Sequence, residues 1–478
     1  MTAARSSRRP VRRIIARAWL LTGGILVLAL WGSALAAPER EAVVSTPTLI
    51  DPGCPGVAAS QRNGEAEPGL AEGGGRLYSV WQQDPSADSV GGLAVVAASS
   101  EDGGRIWRTR TVPDLSRCSA REPNDSIGSR VVEPTISVGP EGRAYVAAMS
   151  VEPYSIRVSS SPDGRQWRPA VELDRSSIGE KVNSPVVVAD PRRAGRAYLF
   201  WGRFDDTSLP LITLSRGSSI LVSRTDDAGR SWSPPRVVAD LRGADQSLQH
   251  PVPAVLPNGD VSVAFYRFDL PLPEGAPLDV LAVRSSDRGT TWSRPGLIGT
   301  NTNVVPGVAA FDRVLEPGLP SAAVGTKGHV VFGWLNTSEP TGGTRFELAS
   351  SNDGGRSFHP RTIATRQRPA LAPALGFAGK RLAIAYYQVL KPSTRHLRVG
   401  LRLATLNGSD HLRTLNLGQA FDAERLPVRS GQTGANEVPF GFHVGLVTER
   451  GIKTASLVPR PVAHSGASDV IVTDANGR

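Results

Sequence analysis

The chain has 478 residues, 54 Lys and Arg against 44 Asp and Glu, and a formal charge of +10, with 50 glycines, 38 prolines, 2 cysteines and 2 methionines. Six arginines and no acid fall in residues 1–36, so the remainder carries only +4, a surplus too small for a dedicated nucleic-acid binder. Abundant Gly and Pro with little Met and Cys suit many short strands joined by turns.

In chain order, Arg5, Arg8, Arg9, Arg12, Arg13 and Arg17 precede an apolar stretch over 18–31, and Ala34-Leu35-Ala36 stands before Ala37. A basic start, an apolar run and small residues make a secretory signal peptide cut after Ala36. Residues 14–36 are nearly long enough to span a bilayer, so an uncleaved membrane anchor is the alternative. Both readings place the remaining chain, about 440 residues, outside the cytoplasm. No low-complexity linker divides it, and 43–478 reads as one domain.

Residues 43–50 read as a strand with no partner nearby in sequence. Beyond them two turn patterns recur. The first runs Gly73-Gly74-Gly75-Arg76-Leu77, Gly139-Pro140-Glu141-Gly142-Arg143, Arg192-Arg193-Ala194-Gly195-Arg196, Pro257-Asn258-Gly259-Asp260, Gly325-Thr326-Lys327-Gly328, Ala378-Gly379-Lys380-Arg381 and Glu449-Arg450-Gly451-Ile452. Each of these seven joins what reads as strands 1 and 2 of a unit. The second is a polar box closed by an aromatic: Ser100, Asp102, Gly104, Trp107; Ser161, Asp163, Gly164, Trp167; Thr225, Asp227, Gly229, Trp232; Ser285, Asp287, Gly289, Trp292; Ser351, Asp353, Gly355, Phe358. The copy at 161–167 is one residue short. The aromatics recur at intervals of 60, 65, 60 and 66 residues, about four strands per unit. In each box the hydroxyl and carboxylate accept turn N–H groups, the Gly takes φ > 0, and the ring opens the next strand.

These residues resemble the Asp box, S/T-x-D-x-G-x-x-W/F, of the sialidase superfamily, over residues 100–358. The resemblance implies an all-β propeller of four-stranded antiparallel blades, with the boxes between strands 3 and 4 on the face away from the sialidase active site. The turn count predicts seven blades; six, the number in sialidases, is the alternative. The seventh unit has strands near 442–448, 452–457 and 468–473 and lacks an outer one, which residues 43–50 supply, closing the ring without a free edge. Cys54 and Cys118 then fall in connections on one face and read as a structural disulfide, stabilising by about 3–4 kcal/mol on the chain-entropy model.

Function concentrates on loops opposite the boxes, the longer being 113–131, 202–217, 266–278, 300–319 and 418–440. Two begin alike: Trp201-Gly202-Arg203-Phe204-Asp205-Asp206 and Tyr266-Arg267-Phe268-Asp269. Arginine holds carboxylates or hydroxyls and aromatics stack on sugars, so Arg203, Asp205, Arg267, Trp81 and Arg395 are ligand-binding candidates, with Tyr266 and Asp269 as candidate nucleophile and acid/base. The plainer reading is a pair of inter-blade ion pairs with core aromatics. Further rim candidates are Asp84, Arg130 with Glu133, Asp312 with Arg313, Trp334 with Asn336, and Tyr387.

The resemblance implies that an active sialidase brings three arginines, a Tyr–Glu pair and an Asp together. The family's early Arg-Ile-Pro motif is absent here, Arg62-Asn63-Gly64 and Arg130-Val131-Val132 being the nearest stretches. The 7 histidines are scattered without zinc-ligand spacing, and no P-loop, dinucleotide fingerprint or G-x-S-x-G occurs, so no metal or cofactor is expected. The sequence therefore points to an exported propeller that binds a glycan or other small ligand at its funnel. An exo-sialidase and an envelope interaction scaffold are the alternatives.

Overall fold

The computed structural model describes residues 40–475 outside the segments 46–49, 51–53, 55–62, 87–90, 123–124, 206–216, 242–244, 270–276, 303–319, 337–343, 365–368, 393–396, 407–411, 427–428, 431–435, 438–443 and 461–467. The leader reading of residues 1–36 lies outside them. Among the described residues the strands form seven antiparallel four-stranded sheets and one two-stranded ribbon, Arg429–Ser430 with Asn436–Glu437. Blade 1 is Glu65–Gly73, Arg76–Gln83, Ala94–Ser100 and Arg108–Thr111; blade 2 is Arg130–Val138, Ala144–Val151, Ser155–Ser161 and Val171–Arg175. Blade 3 is Glu180–Ala189, Ala197–Asp205, Ser218–Thr225 and Arg236–Asp240; blade 4 is Gln246–Val255, Val261–Asp269, Pro277–Ser285 and Gly296–Thr302. Blade 5 is Ser321–Val324, Val330–Asn336, Arg345–Ser351 and His359–Ala364; blade 6 is Ala370–Ala378, Arg381–Pro392, Leu397–Leu406 and Arg413–Asp422. First strands of successive blades pack side by side, and that of blade 7 returns to that of blade 1.

Blade 7 holds Gly445–Val447, Lys453–Pro459 and Ser468–Asp474, and its outer strand is Arg40–Val43, paired Arg40 to Asp474 and Val43 to Ile471. The closing strand thus starts three residues before the predicted 43–50. Its pairing runs on through Val44 N–H, which donates to Val470 O, and Val470 N–H donates to Ser45 Oγ. Both cysteines are consumed in a Cys54–Cys118 disulfide beside Ile50, Leu93 and Ala94.

Alternation along each second strand builds the core. In blade 1, Tyr78 and Val80 enter the interface with blade 2, against Ala144, Val146 and Ala148, while Leu77 and Trp81 face blade 7, against Ala455 and Leu457. A period of 2 sends successive side chains to opposite faces, so each strand feeds two interfaces.

All five boxes fold alike. In the Asp353 copy Ser351 Oγ accepts the Gly355 N–H (2.8 Å), and Asp353 Oδ1 accepts the N–H groups of Arg356 (2.9 Å) and Ser357 (3.0 Å). The shortened copy keeps the pattern: Ser161 Oγ accepts Gly164 N–H (2.8 Å), Asp163 Oδ1 accepts Arg165 N–H (2.9 Å), and Trp167 Nε1 donates to Gly164 O (3.2 Å). The missing residue is therefore a tolerated deletion in the turn.

The box turns also dock the blades. Four times a side chain donates to a carbonyl in the box turn of the next blade, just before the box glycine in three copies and one residue earlier in the shortened one: Arg76 Nη1 to Pro162 O (2.8 Å), Ser160 Oγ to Ala228 O (3.0 Å), Arg224 Nη1 to Arg288 O (2.9 Å) and Arg284 Nε to Gly354 O (2.9 Å). The glycine itself is pressed on the preceding blade. A Cβ on Gly164 (φ 75°) would stand 2.6 Å from Ser99 Cβ and 2.8 Å from Tyr78 Cε1.

Gly164→Ala is expected to cost about 3 kcal/mol, backbone strain plus overpacking, whereas Gly103→Ala (φ 78°, open space) costs about 1 kcal/mol. Urea denaturation of both variants measures the difference. Hydrogen bonds from Ser231 to Asp227 and from Thr291 to Asp287 pull both carboxyls down to about 2. Depressed folded values stabilise above the unfolded pKa and lose that stabilisation as pH falls through the folded one. The melting temperature should therefore drop between about pH 4 and pH 2, and Asp287→Asn should flatten part of that drop.

Candidate functional site

Five inner strands carry the same defect at the same level. Opposite one residue of the second strand stand two residues of the first: Glu67-Pro68, Glu133-Pro134, Ser184-Pro185, His250-Pro251 and Ala372-Pro373. Proline has no N–H to give the ladder, so the pairing breaks into a bulge. The residue before it takes φ between 49° and 55° at all five places, Glu67 at 51° and His250 at 55° among them. The bulges lie in the half of each inner strand nearer its start, away from the turns into strand 2 and from the boxes.

The bulge side chains link blade to blade around the inner ring. Glu67 Oε2 accepts the Glu133 N–H (2.7 Å) and a bond from Gln82 Nε2. Glu133 Oε2 accepts the Ser184 N–H (2.9 Å), and Ser184 Oγ lies 3.4 Å from His250 Nδ1. Glu67 and Ser184 are buried, whereas Glu133, His250 and Ala372 are half-buried. The His250 ring meets Tyr266 edge-on at 6.3 Å. A third acid sits at the seam of blades 7 and 1: burial drives the Glu65 carboxyl well above the usual range, against the pull of Arg460 at 3.5 Å.

The residues expected at the rim divide. Arg203 forms an ion pair with Asp174 on the outer strand of blade 2, with Nε at 3.1 Å, and Trp201 Nε1 donates to the same carboxylate at 2.6 Å. Arg267 pairs with Asp279 on the neighbouring strand of its own blade. The two arginines that match in sequence are thus neutralised differently, one between blades and one within. Asp205 is half-buried, and exposed Asp269 accepts from Gln246 Nε2 (2.6 Å).

Trp81 is a core residue and not a rim one: its ring is fully buried and Nε1 donates to Gln83 Oε1 (3.0 Å). Tyr266 is 3% exposed, and its hydroxyl accepts from Asn301 Nδ2 at 3.1 Å. Tyr387, fully buried, accepts the Leu457 N–H (3.0 Å) of blade 7, and burial pushes its phenol above its ordinary value. Trp334 Nε1 donates to Thr300 O (3.2 Å), and Asp84 is buried. Arg62, Arg395, Asp312 and Arg313 lie outside the described residues. Of the expected rim set, Glu133 is the member that the fold brings to the inner ring. Glu67, Ser184 and His250 were not anticipated, although the recurring X-Pro upstream of each strand 1–2 turn was a legible signal.

Seven four-stranded blades with Asp-box turns define the molecule as a seven-bladed Asp-box β-propeller. No family model and no curated protein matches the chain. Among solved structures it is similar to an α-L-arabinofuranosidase of Fusarium graminearum, at 15% identity over 77% of this chain and 98% of that one with a TM-score of 0.47. It is also similar to an α-L-arabinanase of Penicillium chrysogenum, at 14% identity over 77% and 98% with a TM-score of 0.46. A Trypanosoma rangeli sialidase matches at 12% identity over 87% of this chain and 55% of that one, with a TM-score of 0.40. No site residue is carried over from them.

Arg203→Ala leaves the nearly buried Asp174 carboxylate without its cation and should destabilise the fold by about 2 kcal/mol, a buried-pair loss discounted for the partial exposure of Arg203. Arg267→Ala, with both partners more exposed, should cost under about 1 kcal/mol. Chemical denaturation of the two variants tests this order.

Proposed function

We propose that the protein is an exported propeller that binds an uncharged, hydroxyl-rich ligand, a neutral glycan, at the face opposite its boxes. The observation that supports this is the inner ring of Glu67, Glu133, Ser184 and His250. Carboxylates accept hydrogen bonds from sugar hydroxyls, and the half-exposed His250 ring offers both a polar edge and a face. The same acids repel a carboxylate sugar. Arg203 and Arg267, the cations a sialic acid would need, already have acid partners. Asp205 and Asp269 extend the polar surface at the rim. Export is supported by the leader-like residues 1–36 and by a disulfide, a bond that persists in oxidising compartments.

Residues 38–478 should bind neutral oligosaccharides on a glycan array in preference to their sialylated counterparts, and should leave a fluorogenic sialoside unhydrolysed. Glu133→Gln should weaken the best neutral ligand about tenfold in calorimetry by replacing a charged acceptor with a neutral amide. Preferential capture of sialylated glycans, or sialoside turnover lost in Tyr266→Phe, would overturn the reading.

A further inference from the structure

On the box face, between blades 3 and 4, lies a cleft of about 90 Å³ lined by Tyr198, Arg224, Ser233, Arg236, Arg288 and Thr290 among others. It forms where the Arg224 guanidinium crosses to the carbonyl of Arg288, one of the four docking contacts between blades.

The charge balance here differs from that at the equivalent interfaces. Between blades 1 and 2, Glu101 takes both Arg76 (3.3 Å) and the box residue Arg165 (3.0 Å). Between blades 4 and 5, Arg284 is held by Asp260. At the blade 3–4 cleft the one acid paired with Arg224 among the described residues is Asp226, at 2.9 Å, and it is shared with Arg196 at 2.6 Å. The nearby Asp287 spends its carboxylate on its own turn, on the N–H groups of Thr290 and Thr291 and the Thr291 hydroxyl. Among the described residues, Arg236 and Arg288, both exposed, have no acid within ion-pair distance. Tyr198 lines the same cleft, and its buried hydroxyl has no hydrogen-bond partner among the described residues.

We propose that this cleft is an oxyanion site that takes a sulfate or phosphate group between Arg236 and Arg288, with Arg224 behind it. Guanidinium groups match tetrahedral oxyanions through paired N–H donors, and two such cations facing one small space repel each other until an anion enters. The site is on the opposite face from the glycan funnel and independent of it. The ligand group would be a free ion or an ester carried on a polysaccharide.

The test is calorimetric titration of residues 38–478 with sodium sulfate and with sodium phosphate at fixed ionic strength, in wild type, Arg236→Ala/Arg288→Ala and Arg288→Lys. Saturable binding by the wild type, weakened at least about tenfold in the double alanine variant and less in the lysine variant, is expected. Equal binding in wild type and double variant, or none in the wild type, would overturn the proposal. Tighter binding of a sulfated oligosaccharide than of sulfate identifies an ester as the source, and equal binding identifies the free ion. Unchanged circular dichroism and unchanged neutral-glycan binding in the variants separate this site from the fold and from the funnel.

Discussion

The contact on which the ring depends is the seat of the box glycines of blades 2 to 5 on the blade before each. A carboxylate and a hydroxyl satisfy the turn's own N–H groups, which frees the carbonyl ahead of the glycine to receive a donor from the neighbouring blade. Where a positive φ and the lack of a Cβ meet at Gly164, the turn approaches Tyr78 and Ser99 more closely than any other residue could. A propeller has few local devices for fixing the angle between sheets. A polar turn with one exposed carbonyl and one bare Cα supplies such a device at four successive interfaces.

Away from the boxes, the Cys54–Cys118 disulfide and the Arg203–Asp174 pair also hold the structure, and further links lie at the ring's inner edge. There the X-Pro bulges replace ladder hydrogen bonds with side-chain links from blade to blade, Glu67 to Glu133 to Ser184 to His250. These carboxylates therefore take part in closing the ring from blade 1 to blade 3. The polar part of this ring spans blades 1 to 4, while blade 6 offers Ala372.

Seam chemistry differs from that of the other interfaces. Blade 7 is assembled from both ends of the described chain, and its contact with blade 1 rests on the polar group of Glu65, Arg460, Ser468 and Asp469 as well as on packing. Ser45 joins it by donating to Asp469 Oδ1 at 3.2 Å, which ties the residues after the closing strand to the strand they cover.

The sequence by itself determined the order of strands and the identity of the five box turns, and it favoured seven blades over six and a Cys54–Cys118 disulfide, both of which the structure shows. Those features are written in local rules: glycine where φ must be positive, alternation at period 2, and an aromatic ring after a polar turn. It could not assign Arg203 and Arg267, whose matching motifs end in different partners because Asp174 and Asp279 come from different strands of different blades. Nor could it separate Trp81 and Tyr266 from the rim, since burial depends on which face of a strand meets the next blade. The Glu67–His250 ring was visible only as repeated X-Pro pairs. The tertiary structure alone decided that these pairs fall at one level and touch, because residues more than 60 apart become neighbours only when the ring closes.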